Sequence, residues 1–412
     1  MTFIAQRLLG VFFMVIIYLI SPVILIRVGR LRDSTLGTLS QEIDYWFFLK
    51  SKIRTRRKCI NIWYLWGPIS ANNELVKIIK SQEFFLPRFI VKPVFLIANK
   101  YRIFHQHLIP YYVYRTEGLR PGYLDLNYFD WDEIHSSPGL RSLISDYDER
   151  CKYALELLGI SDKNIIGIHI RDNFYHSNRA RILAEKGYLD NFGNLTKIEQ
   201  LQEYRNSKFT NFMPSISQLG DFGYFTIRFG SNNCTKSENV LENFVNLSSC
   251  SEKTNIELIL ICQLRFLICS TSGLTSLARL ARVPQFLIDF GDITGGYLKS
   301  STLKSTPIIL PKVFKYKATN QNLKFSEIIK LQIFKLSSLE FREYYNSVAC
   351  PFYLADNEET VVTRTVLMGK DFLEHKISST FSRLHQNNFL QMYPYGNIKS
   401  SPMLSPYWPN LN

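Results

Sequence analysis

No two of the seven cysteines sit in CxxC spacing; Cys59, Cys151, Cys234, Cys250, Cys262, Cys269 and Cys350 are scattered and odd in number. Neither a disulfide framework nor a zinc site is supported, and a reducing compartment fits best. A Walker loop and a GxGxxG fingerprint are both missing, which argues against a P-loop kinase and a dehydrogenase. Charge is sparse too. Only 20% of residues are charged against 46% hydrophobic, so extensive disorder is not expected. Acidic residues are the scarcer sign, 35 against 49 basic, and the formal net charge of +14 favours an anionic partner. A nucleotide, a phospholipid surface or nucleic acid would each answer that charge. Nucleic acid is the weakest of these, because the chain has no recognised nucleic-acid module and no aromatic-interleaved basic stripe.

What is present is enough chain for two cores: 412 residues, where single domains run to about 100–200. An apolar run from Leu8 is interrupted at Ser21-Pro22 and resumes at Val23–Ile26. Taken whole it barely reaches bilayer length. The Pro22 break favours a split into a helix to about Ile20 and a buried strand at Val23–Ile26, with Arg27 to Arg32 as the exit from that strand. The helix then packs on the protein or dips into a membrane interface, with Arg27, Arg30 and Arg32 suited to anionic headgroups. No small-x-small cleavage site follows the run, against a cleaved signal peptide.

Further on, Gln41–Lys50 and Asn72–Ile79 read as helices and Cys59–Leu65 as a strand ended by Gly67-Pro68. Residues 115–138 are rich in Gly, Pro and Asp and read as the interdomain loop. Asp130-Trp131-Asp132 within it has the form of a metal-binding DxD, a form that chance explains better in an acidic loop. From Leu140 strands and helices alternate, which implies a parallel sheet with helices on both faces. The expected strands are Ile165–Ile170, Tyr224–Phe229, Phe266–Cys269 and Phe286–Ile288. The expected helices are Ser142–Leu158, Phe212–Leu219, Ile256–Leu264 and Leu274–Arg282. Asp356-Asn357-Glu358-Glu359 has capping-box spacing and opens a long helix towards Arg383, before an irregular proline-rich tail.

Three strand ends carry polar residues where an open α/β sheet places its ligand crevice. Ile166, Ile168 and Ile170 face one way and His169 and Arg171 the other, with Asp172 following. A guanidinium and an imidazole ending a buried strand are costly unless something anionic or polar pairs with them. Arg228 precedes Gly230 at the second end. The third, Ser270-Thr271-Ser272-Gly273, opens a helix and is either a phosphate seat on its amides or a plain N-cap through Ser272. Tyr204-Arg205-Asn206 either contacts a base or sugar or is a surface loop. Tyr175 and His176 follow the first end on a loop long enough to act as a lid. Two arginines and a helix N-terminus at one crevice suit a diphosphate whose charge grows as it departs.

These residues resemble a largely uncharacterised bacterial family assigned as GT-B-type glycosyltransferases. The likeness rests on His169-Ile170-Arg171-Asp172 with Tyr175-His176, Tyr204-Arg205-Asn206, Ile227-Arg228-Phe229-Gly230 after Gly223, and Ser270-Thr271-Ser272-Gly273. Ile26–Leu31 and Ser400–Leu404 are similar to that family's ends, so the resemblance spans nearly the whole chain and is most specific over residues 164–290. The His-x-Arg-Asp strand end is also similar to fucosyltransferase-like enzymes, whose corresponding arginine holds the donor diphosphate. The resemblance implies an α/β, GT-B-like fold with two Rossmann-like domains whose parallel sheets face across a cleft. The expected layout is an apolar helix at 1–22, an acceptor domain at 23–138, a nucleotide-sugar domain at 139–355, and a helix and tail at 356–412.

It implies hexosyl or deoxyhexosyl transfer from a nucleotide sugar to a glycan or lipid-linked acceptor in bacterial surface polysaccharide synthesis. No cofactor and no metal are expected beyond that co-substrate. The expected place is the cytoplasm, at the inner face of the membrane through the N-terminal helix. Arg171 and Arg228 would meet the diphosphate, His169 would orient Arg171 or touch phosphate, and Asp172 or His176 would take the acceptor proton. An epimerase or hydrolase of the same shape would share the diphosphate seat, and a basic membrane- or nucleic-acid-binding protein is the rival of another class.

Overall fold

The computed structural model describes residues 3–52, 58–67, 69–109, 131–160, 164–172, 185, 203–230, 241–250, 252–291, 302, 304–336, 338–392 and 401–411. The chain forms two compact units, Met1–Phe129 with Ser137–Ser145, and Asp130–Ser136 with Asp146–Asn412. Both are α/β with parallel sheets.

In the N-terminal unit the helix α1 (Phe3–Ile20) precedes β1 (Ile24–Leu31). The expected exit at Arg27 is not one, because Arg27 to Leu31 continue the strand in parallel register with β2 (Lys58–Leu65). Helix α2 (Leu36–Lys52) makes the crossover, its Trp46 ring edge-on to Trp63 of β2 at 5.2 Å. Buried Asp33, just past β1, accepts from the Gly67 N–H at 2.7 Å and from the Ser70 hydroxyl, fixing the turn after β2. Asn72 caps α3 (Asn73–Gln82) by accepting from Leu75 N–H at 2.8 Å. Strand β3 (Phe84–Phe85) then adds to β2, and α4 (Arg88–Lys100) packs on α1. The closest approach is at Gly10, where an added Cβ would stand 2.6 Å from the Pro93 carbonyl oxygen.

The C-terminal unit opens with α5 (Trp131–Ser136) and α6 (Tyr147–Leu157) and is built on a seven-stranded sheet. Its strands are β4 (Ile165–His169), β5 (Phe225–Arg228), β6 (Phe244–Asn246), β7 (Leu267–Cys269), β8 (Gln285–Phe290), β9 (Ile308–Pro311) and β12 (Met403–Leu404). Their order is β12-β9-β8-β7-β4-β5-β6, every pairing parallel. Buried Ile165, Ile166 and Ile168 suit β4 to an interior position, beside the central β7. Gly167 lets neighbours close over it, since a Cβ there would meet Leu264 at 2.5 Å.

Between the strands run α7 (Met213–Asp221), α8 (Lys253–Ile261) and α9 (Gly273–Leu280). A small antiparallel pair, β10 (Val313–Tyr316) with β11 (Phe352–Ala355), follows. Two short helices, α10 (Phe325–Lys330) and α11 (Ser338–Tyr345), lie between its strands.

The long C-terminal helix is in fact two, α12 (Glu359–Leu373) and α13 (Ser379–Met392), parted where His375 turns left-handed at φ 58°. Helix α12 lies against β8 and β9 with Gly369 at the contact. The tail is not irregular throughout. It supplies β12 at the sheet edge, and buried Asn410 accepts from Phe314 N–H at 2.9 Å and donates to the Leu323 carbonyl at 2.6 Å. Among the described residues no helix is long and apolar enough to cross a membrane. The six described cysteines are free thiols.

Candidate functional site

The sheet fixes where a ligand can sit. From β4 the chain steps outward to β5 and β6, then returns to β7 on the other flank and continues to β8 and β9. Sequence direction therefore reverses between β4 and β7. The crevice beyond their carboxyl ends is where open α/β sheets bind ligands. The two segments that follow these strands are Ile170-Arg171-Asp172 and Ser270-Thr271-Ser272.

The structure ties these segments together. The Arg171 N–H donates to Ser270 Oγ at 2.7 Å, and the Ser270 N–H to the His169 carbonyl at 3.2 Å. From the other side the Ser207 N–H donates to the Arg171 carbonyl at 3.2 Å. The turn holding Tyr204, Arg205 and Asn206 is thus brought to Arg171. Arg171 is buried, with its main chain held on both sides.

Ser272 caps α9, its Oγ accepting from Leu274 N–H at 3.2 Å, so the N-cap role is present at the mouth of the crevice. Gly273 is the first residue of that helix, whose dipole adds positive potential there. The Thr271 hydroxyl is fully buried and has no hydrogen-bond partner among the described residues. A buried hydroxyl without a partner asks for one.

His169 is turned towards the next strand. Its Nδ1 lies 3.1 Å from the Phe229 carbonyl oxygen, which assigns the proton to Nδ1. Burial pushes the imidazole down to about 4, against the Phe229 hydrogen bond and the Asp172 charge that raise it. It is neutral at neutral pH. Gly230 makes room for the ring, for at φ +100° its added Cβ would stand 2.5 Å from His169 Nδ1. Arg228, level with Ile168, is buried and places its guanidinium 4.0 Å from the centre of the Phe209 ring. Lys253, at the start of α8, donates to the Gly230 carbonyl at 2.5 Å. This lysine adds a third cation to the strand ends, and nothing in its local sequence marks it.

Tyr204 is packed against Phe341 and Tyr345, at ring distances of 5.4 and 5.0 Å. Gly291 presses on the backbone of Tyr204 and Arg205, its added Cβ falling 2.5 Å from the Tyr204 carbonyl oxygen. Asn206 faces a cavity of about 960 Å³ that Lys208, Asn211, Lys312, Asp356 and Glu358 also line. Buried Lys312 donates to the Asn206 carbonyl at 2.5 Å and pairs with Asp356.

Beside it Asp289 sits in a left-handed conformation, φ 51°, at an irregularity in the β8–β9 pairing. Its Oδ1 accepts from Asn357 N–H at 2.8 Å and from the Asn357 amide at 2.6 Å. Its Oδ2 is buried without a partner among the described residues. Burial, with the neighbouring Asp356 charge, raises this carboxyl to about 6. A strained, buried, orphaned carboxyl is the kind of feature that clusters at functional sites.

Tyr175 and His176 lie outside the described residues, as does Asp130 of the DxD, while Asp132 is in the first turn of α5. Among the described residues no group of three His, Cys, Asp or Glu is placed to hold a metal ion.

No family model and no curated relative matches the chain. Its fold is similar to several solved glycosyltransferases. One is the ADP-heptose LPS heptosyltransferase II of Escherichia coli, 14% identical over 64% of this chain and 84% of that one, at a TM-score of 0.35. Another is the family 9 glycosyl transferase of Veillonella parvula, 10% identical over 83% and 96%, at 0.42. A third is the dodecameric iron-containing heptosyltransferase TibC of enterotoxigenic E. coli in complex with ADP-heptose, 13% identical over 86% and 76%, at 0.35. At such scores the likeness carries no functional argument, which rests on the residues of the crevice.

Proposed function

We propose that the chain is a glycosyltransferase that moves a sugar from a nucleotide-sugar donor to a glycan or lipid-linked acceptor in bacterial surface polysaccharide synthesis. The observation that carries this reading is the crevice at the β4/β7 reversal, where Ser270 and Ser207 grip Arg171 beside the N-terminus of α9. An anion seated there meets the Arg171 guanidinium, the first amides of α9 and the Thr271 hydroxyl. Arg228 and Lys253 add positive charge from the β5 side. That set suits a diphosphate leaving group, whose negative charge grows as the glycosidic bond breaks. Protein cations then neutralise the diphosphate and the transfer proceeds without an obligatory metal.

Neutral His169, fixed on Phe229, is a positioning residue that holds the β4 and β5 ends in register. The cavity past Asn206 receives the polyhydroxylated part of the donor, since Asn206, Asn211, Asp356 and Glu358 offer it acceptors and donors. Asp172 or His176 takes the acceptor proton.

The test is calorimetric titration of the full chain with UDP, GDP, CMP and dTDP, with and without chelator. One nucleotide should bind selectively and keep its affinity in chelator. Arg171→Ala should lose at least tenfold of that affinity, together with sugar transfer, while unfolding as the parent does. Full transfer activity in Arg171→Ala refutes the assignment.

A further inference from the structure

Past Gln6 and Arg7, helix α1 is apolar around its circumference, which in water requires burial on every side. One stripe, Gly10, Met14 and Ile17, is buried. The opposite stripe is just as apolar and meets water. Ile4, Leu8, Phe12, Val15 and Leu19 recur at helical spacing, and Leu8, Phe12 and Leu19 are 67%, 61% and 70% exposed. Helix α4, which packs on α1, extends the surface with Phe89 and Leu96, seven residues apart on one helix face, and Ile103 follows it. Leu8, Phe12, Leu19, Phe89 and Ile103 are each more than 60% exposed, a gathering of large apolar side chains that the surface of a monomer usually carries singly.

The charges around this surface select its partner. Residues 1–32 contain no aspartate or glutamate, and neither do residues 84–109. The same segments carry Arg88, Lys92, Lys100 and Arg102, and Lys100 lies on the helix face of Phe89 and Leu96. Arg30, Arg88 and Lys92 also gather over the Trp66 ring, at 4.8, 5.2 and 5.8 Å. An apolar face rimmed by cations and free of carboxylates complements anionic phospholipid headgroups over acyl chains.

We propose that α1 and α4 form one monotopic docking face for an anionic phospholipid bilayer, lying in the headgroup plane. The inner stripe of α1 remains packed on the protein. This extends the membrane role expected of the first helix to a surface built from two elements. It does not rest on the transferase reading.

The experiment is flotation of the full chain with phosphatidylglycerol–phosphatidylcholine vesicles and with phosphatidylcholine vesicles. The parent should float with the anionic vesicles and at least tenfold less with the neutral ones. Leu8→Glu/Phe12→Glu on α1 and Phe89→Glu/Leu96→Glu on α4 should each lower partition at least tenfold, with unchanged unfolding midpoints and nucleotide affinity. Failure of the parent to float, or equal flotation with both vesicle types, overturns the proposal. So does an α4 variant that floats like the parent, which would leave α1 acting alone. Concentration-dependent dimerisation lost in the same variants, without vesicle binding, would assign the face to a second copy and also overturn it.

Discussion

Ser270→Ala and Thr271→Val form a pair of substitutions whose effects should separate structure from binding at adjacent residues. Ser270 Oγ accepts the buried Arg171 N–H at 2.7 Å, so the alanine leaves that donor without its partner. An unsatisfied buried donor costs about 1–3 kcal/mol, and Ser270→Ala should lose that much stability in urea unfolding. If Arg171 then drifts from the anion, one charge-assisted hydrogen bond of about 1.5–3 kcal/mol goes as well. That corresponds to roughly ten- to a hundredfold in nucleotide affinity. Thr271 behaves differently. Its hydroxyl has no partner among the described residues, so valine, of nearly equal shape, should leave unfolding unchanged or slightly improved. Nucleotide affinity should still fall about tenfold if the hydroxyl serves the ligand. Both variants are read by urea unfolding and by calorimetric titration of the same preparations. The reasoning is refuted if Ser270→Ala is as stable as the parent, or if Thr271→Val binds nucleotide equally well.

Two further substitutions probe the frame of the site. Gly230→Ala places a Cβ 2.5 Å from His169 Nδ1 at φ +100°, where a side chain is strained in any case. It should cost about 2–4 kcal/mol in urea unfolding, and a loss below 1 kcal/mol would show that His169 yields easily. Asp289 supplies a pH signature. Its carboxyl rises from 3.8 to about 6 in the fold, so the folded protein holds a proton that the unfolded chain has released between those values. Its contribution is therefore greatest below about 4 and is lost as pH rises through 6, by about 3 kcal/mol at most. Asp289→Asn should remove that slope, so that the parent loses about 3 kcal/mol relative to the variant between pH 4 and pH 7. A constant difference across that range would mean that the carboxyl titrates normally.

The strands of the C-terminal unit were legible because each is a continuous apolar run closed by polar residues, the pattern of a strand buried on both faces. The strand expected at Tyr224–Phe229 forms as Phe225–Arg228, and that at Phe266–Cys269 as Leu267–Cys269. What failed to show lies at the edges, where strands are short. Met403-Leu404 becomes a strand because β9 offers an open edge and Trp408, which donates to the Lys312 carbonyl at 3.1 Å, locks the tail down.

The capping-box spacing at Asp356 misled for a tertiary reason. Asp356 accepts from the Lys208 N–H at 3.0 Å and pairs with Lys312, while Asn357 serves Asp289, and the helix starts three residues after Asp356 at Glu359. At the crevice the residue types were readable, but their meeting was not. That Ser270 touches Arg171 depends on β7 lying beside β4, a pairing 99 residues apart in sequence. Lys312 and Lys253 enter the same way, brought in by the sheet without any local motif.

The chemistry along the sheet edge is graded. Towards β4 and β5 the ends carry Arg171, Arg228 and Lys253, with Asp172 and, beside Lys253, Glu257, whose carboxyl pKa is raised by burial. Towards β8 and β9 they carry Asp289, Asp356 and Glu358 around one buried lysine, Lys312. A ligand spanning both must be anionic at one end and rich in hydroxyls at the other, because carboxylates repel phosphate but accept hydrogen bonds from hydroxyl groups. A nucleic acid has its charge spread evenly along its length and would place phosphates against Asp356 and Glu358. A nucleotide sugar concentrates its charge at the diphosphate. On the reading proposed here the gradient orients that donor, with the diphosphate at the β4/β7 reversal and its hydroxyl-rich part over the cavity. On that reading the bond that breaks lies at the boundary between them.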